Sequence, residues 1–109
     1  MEDIYKLLKR NGNSMEKVCR NENLSEGFIS ENNKIVDWSS ICIFQDLSEE
    51  FITEHKDKVH WMAISAVQDL SEEYILKNID KITGRIFDNT NYARLSDKTK
   101  KILEFKLRR

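Results

Sequence analysis

Asp46-Leu-Ser-Glu-Glu-Phe-Ile52 recurs as Asp69-Leu-Ser-Glu-Glu-Tyr-Ile75, and an earlier version reads Asn23-Leu-Ser-Glu-Gly-Phe-Ile29. Leu24, Leu47 and Leu70 stand 23 residues apart each time. A second motif keeps the same period. Val36-Asp-Trp-Ser-Ser-Ile41 corresponds to Val59-His-Trp-Met-Ala-Ile64, and Ile82-Thr-Gly-Arg-Ile-Phe87 fills the third slot in altered form. Half a unit precedes them. Met15, Val18, Cys19, Asn23 and Leu24 lie one period before Trp38, Ile41, Cys42, Asp46 and Leu47. Self-similarity at a fixed period of this length is the signature of a repeat architecture.

Each unit reads as two short helices. Ser48 can cap a helix start. Glu49 and Glu50 then fall in the first turn, where the helix dipole favours negative charge. Leu47 before the cap and Ile52 in the fourth helical position have the spacing of a hydrophobic staple. Leu24 with Ile29 and Leu70 with Ile75 repeat it. In the second helix Asp37 can cap, with Val36 and Ile41 as the staple. His60 and Thr83 take the capping slot later, as weaker choices. The pattern predicts helices near 2–10, 14–20, 25–33, 37–45, 48–56, 60–68, 71–80, 83–88 and 96–107, and no strand pair. Helices this short are marginal alone, so their stability must come from packing repeat on repeat.

The expected fold is therefore all-α: a short α-solenoid of about three two-helix repeats in one domain. Residues 1–22 would be an N-terminal cap and half repeat, 23–91 the repeats, and 92–109 a basic C-terminal capping helix. A chain of 109 residues fits one domain. Three glycines and no proline leave no obligatory helix break and little turn chemistry for a many-stranded sandwich.

The unit from Asp46 to Gln68 resembles a short repeat of large DNA viruses, phages and some bacterial proteins. There the unit reads much like L-S-E-E-F-I, then K-D-K-V-x-W-x-x-I-S, then Q-x-L-S. The likeness spans residues 23–87. Gly27 replaces the second Glu of the first copy, and Gly84 the Trp of the third. The resemblance implies a helical module, viral or phage-borne, that binds proteins and carries no catalytic motif. Small phage proteins of this size include inhibitors of host defences, anti-CRISPR proteins among them.

Net charge is −1, unevenly spread. Residues 94–109 carry +5, residues 1–20 +2 and residues 21–93 −8. Either the protein is an acidic body with a basic terminal helix, or it has two distinct faces for partners. Lys98, Lys100, Lys101, Lys106, Arg108 and Arg109 could touch phosphates, which makes nucleic-acid binding the alternative function. No reading helix with base-contacting Arg or Asn is evident. Glu49, Glu50, Glu72 and Glu73 are candidates for a protein-binding row, even a mimic of a phosphate backbone. They also sit where first-turn charges belong. Trp38 and Trp61 occupy equivalent positions, either packing between repeats or facing a partner as hot spots. A third role is structural, through self-assembly into a homo-oligomer.

Chemistry finds little support. His55 and His60 lack metal-ligand spacing with Cys19 or Cys42. Residues 88–94 look like a turn-rich loop but fail the calcium-loop pattern, because Ala93 stands where glycine is needed. Gly12, Gly27 and Gly84 are isolated, so no phosphate-binding loop exists. Cys19 and Cys42 recur at one repeat position, which favours small buried fillers over thiol sites. The expectation is a non-enzyme without metal or cofactor. Residues 1–20 hold no apolar core of a secretory leader, and no run approaches the roughly 20 residues of a membrane span. The expected place is the cytoplasm, the host's if the gene is viral or phage-borne, with a host protein as partner.

Overall fold

The computed structural model describes residues 3–107, and all their regular structure is helical. The α-helices are α1 (Ile4–Arg10), α2 (Met15–Asn21), α3 (Glu26–Glu31), α4 (Trp38–Phe44), α5 (Glu49–Glu54), α6 (Trp61–Val67), α7 (Glu72–Lys77) and α8 (Asp97–Lys106). Two 3-10 helices, Gly84–Asp88 and Tyr92–Arg94, lie between α7 and α8. The chain divides into two compact units, Met1–Val59 and His60–Arg109.

The recurrent motif acts locally as its residues dictate. Ser25, Ser48 and Ser71 hold extended backbone, and each hydroxyl accepts the N–H three residues on, from Phe28, Phe51 and Tyr74, at 3.1 Å. Ser14 and Ser96 cap α2 and α8 in the same way. The helix ends also repeat. Asn32, His55 and Asn78 close α3, α5 and α7 with ψ of 28° each. Each carbonyl then receives the N–H four residues on, from Val36, Val59 and Ile82. So the first helix of each copy ends by one stereotyped turn that aims the chain at the second helix. Gly12 and Asn13, both at positive φ, make the different turn between α1 and α2. Glycine adopts that conformation at little cost.

In the first unit, Leu7, Val18 and Phe28 form a buried cluster with Ile4, Leu8, Met15 and Leu24 against it. Ile29, Ile41 and Ile52 are fully buried, as are Cys19 and Cys42. In the second unit Ile64, Ser65 and Leu103 are fully buried, with Ile75, Ile82 and Ile86 nearly so. Each buried isoleucine contributes about 1.5–3 kcal/mol relative to an exposed one. Both halves of the expected staples are thus inside, except that Leu24 is half-buried.

Several expectations need correction. Asp37 stands at the N-cap of α4 but makes no cap bond. Its Oδ2 accepts from the Ser40 hydroxyl at 2.8 Å instead, because that donor lies within reach. His60 likewise caps nothing with its side chain, whereas Thr83 accepts the Arg85 N–H. Residues 84–88 are a 3-10 helix rather than an α-helix, and Tyr92–Arg94 is a second one inside the expected loop and cap. The first helices stop at residues 31, 54 and 77, earlier than expected, where the turn begins. Of the expected segments, residues 2, 108 and 109 lie outside the described residues.

Candidate functional site

Buried polar side chains hold successive segments together. Gln45 is buried at the end of α4. Its Nε2 donates to the carbonyls of Cys19 at 2.8 Å and Glu22 at 2.6 Å, and its Oε1 accepts the Leu24 N–H. The amide thus satisfies carbonyls at the C-terminal end of α2, which no helical partner can reach. In the second unit Asn89 does the same to α6. Its Nδ2 donates to the carbonyls of Ser65 and Gln68, and its Oδ1 accepts the Asn91 N–H.

A second link joins helix starts. The Glu26 carboxylate accepts the Ser48 N–H at 2.7 Å and its hydroxyl at 3.0 Å. Glu72 accepts the Ser96 N–H, and that bond holds its carboxyl below the usual range. A third link uses the cysteine position. The Asp37 N–H donates to Cys19 Sγ at 3.4 Å, and the Thr83 N–H to Ser65 Oγ at 3.0 Å. Burial pushes the Cys19 thiol up.

The candidate residues now fall into place. Glu72 serves a helix start, while Glu50 and Glu73 are exposed and Glu49 is half-buried. Trp38 is half-buried, with Nε1 donating to the Asn33 carbonyl at 2.9 Å. Its ring lies 6.1 Å from Phe51 and 5.3 Å from His55, which bonds Ser30 through Nε2. Trp61 is half-buried under the Lys81 ammonium, 6.0 Å from the ring centre. Along α8, Lys106 pairs with Asp80 at 3.1 Å and Lys100 donates to the Ala93 carbonyl above the Tyr92 ring. Lys98 and Lys101 are exposed and make no ion pair among the described residues. Arg108 and Arg109 lie outside those residues.

Apolar side chains missed at the level of sequence stand out on the surface. In the first unit, α4 exposes Ile43 at 44% and Phe44 at 52%. In the second, α6 exposes Met62 at 62% and Val67 at 45%. Phe44 and Val67 are one period apart, so both second helices end on the same kind of outward apolar side chain. The α8 helix exposes Phe105 at 78% and Ile102 at 36%.

Among the described residues, no group of three or more His, Cys, Asp or Glu side chains could hold a metal. No helix there is long and apolar enough to cross a membrane. A small, roughly water-sized cavity lies among Gln68, Asn89, Asn91, Tyr92 and neighbouring apolar side chains. No protein family, curated protein or solved structure matches the chain.

Proposed function

We propose that this chain is a non-enzymatic protein-binding module, an inhibitor of a host protein carried by a virus or phage, of the kind that blocks host defences. The observation that carries protein binding is the set of outward apolar side chains on the second helices: Ile43 and Phe44 at the end of α4, and Met62 at the start and Val67 at the end of α6. Contiguous exposed apolar patches mark docking surfaces, and Ile43 and Phe44 are adjacent in the chain. The resemblance of the unit from Asp46 to Gln68 to viral and phage repeats supports the biological setting, the host cytoplasm. The reading requires no metal or cofactor. Trp38 and Trp61 then act as supports of these helices.

A capture experiment tests it. The immobilised chain is exposed to host lysate, treated with nuclease and washed at high salt. A retained protein that is lost from Phe44→Glu or Met62→Glu is the expected outcome. Retention unchanged in both variants would remove these faces. Nucleic-acid binding through α8 is the second reading, favoured by Lys98 and Lys101, which are exposed and make no ion pair among the described residues. It predicts that everything retained disappears with nuclease or moderate salt.

A further inference from the structure

The α8 helix turns its most exposed apolar residue away from its own core. Thr99 and Leu103 are buried, while Phe105 is 78% exposed. Residues two apart on a helix point about 160° from each other, so Phe105 faces opposite Leu103. Positions three and four apart share a face. Lys101 and Ile102 therefore lie beside Phe105, and Lys98 beside both. The outcome is an aromatic–aliphatic patch edged by two lysines that pair with nothing among the described residues.

The first unit carries a complementary patch. Ile43 and Phe44 are exposed at the end of α4, and Asp46 follows, exposed and without an ion pair among the described residues. The carbonyl end of α4 adds negative potential there. The equivalent Asp69 in the second unit pairs with Arg94 at 2.8 Å, so of the two only Asp46 lacks a cation partner among the described residues. Charge over the whole chain points the same way. Residues 1–59 carry eight basic and twelve acidic side chains, residues 60–109 ten and seven. The sum is only −1, so copies repel little.

We propose that the chain self-associates head to tail, with Phe105 and Ile102 on α8 of one copy seated on Ile43 and Phe44 of α4 of the next, and Lys98 and Lys101 placed against Asp46. This deepens the protein-binding reading by naming a second copy as the occupant of the α4 face. The contact uses different faces of the two copies. Each such contact therefore engages the α8 face of one copy and the α4 face of the other.

Sedimentation of the full chain up to about 1 mM tests this, because weak contacts register only at such concentrations. The expected result is a mass that climbs with concentration above that of a single chain. Phe105→Glu and Phe44→Glu each remove one face at an exposed site, and circular dichroism confirms their fold. Each alone should associate about tenfold more weakly or worse, the scale of losing an interface anchor. Mixed together, they retain one intact face each and should form a pair that grows no further. A wild-type chain that stays monomeric overturns the proposal. So does a mixture that stays monomeric while the wild type associates, which would mean like faces meeting. The broader reading fails separately, when capture of a foreign protein is indifferent to Phe44→Glu and Met62→Glu.

Discussion

The backbone N–H of Asp37 donates to the sulfur of Cys19 across 3.4 Å, where two repeats later the N–H of Thr83 donates to the hydroxyl of Ser65 across 3.0 Å. One position thus accepts the same kind of donor with sulfur in one copy and oxygen in another. A buried thiol here is an acceptor and a filler.

Cys19→Ser should accordingly be near neutral, within about 1 kcal/mol, because a hydroxyl accepts the same N–H. Cys19→Ala should cost about 1–3 kcal/mol, since it leaves that N–H without an acceptor and opens a small void. Urea unfolding of both variants measures the difference. The raised thiol pKa gives a sign as well. The native state keeps its proton where the unfolded chain has lost it, so stability is complete below the ordinary value of 9.0 and falls as pH rises above it.

Gln45→Leu should be among the most damaging single substitutions. It strips the Cys19 and Glu22 carbonyls and the Leu24 N–H of one shared partner. Each buried polar group so orphaned costs about 1–3 kcal/mol, so about 3 kcal/mol or more is expected. Asn89→Leu should act alike in the second unit. Thermal unfolding of the two variants checks both, and a loss below 1 kcal/mol would contradict the clamp.

Acid should weaken the first unit through Glu22. Its carboxylate accepts from Arg10 at 2.7 and 2.9 Å and from Asn11 at 2.8 Å, which hold its pKa at about 2. A depressed carboxylate adds stability above its ordinary value of 4.5 and loses it as pH falls toward 2. Urea midpoints measured from pH 6 down to pH 2 should drop in the wild type. Glu22→Gln should flatten the profile in that window.

Ser48→Ala should cost about 1 kcal/mol as a lost cap, with more from the broken Glu26 contact. A double-mutant cycle with Glu26→Ala should find a favourable coupling, since Glu26 binds both the N–H and the hydroxyl of Ser48. A coupling of zero would show that the backbone bond alone matters.

The helices, their serine caps and the buried Leu–Ile pairs were legible because their physics is local and the period displays them three times. The buried Gln45 was not, although Gln45 and Gln68 recur at the period. A glutamine's type does not name carbonyls 23 and 26 residues upstream. The last copy hides the pattern further, since Asn89 works two places before the periodic position 91. Asp37 misled for a different reason: an aspartate before a helix has two competing donors, and the Ser40 hydroxyl took it. The outward residues Ile43, Phe44, Met62 and Val67 were invisible as such, because apolar type alone does not say which side of a seven-residue helix is covered. The four glutamates read as one row divide by the same rule, for Glu72 is bound to Ser96 and Glu73 is exposed.

The Gln45 amide reaches back to carbonyls that left the ribosome more than twenty residues earlier, and Asn89 does likewise. During synthesis, then, α2 and α6 wait with bare carbonyl ends until the side chain that closes them has been translated. The nascent chain finishes each segment one repeat behind its own growth, and a transcript cut short within a repeat leaves the preceding helix open to water rather than merely leaving the protein shorter.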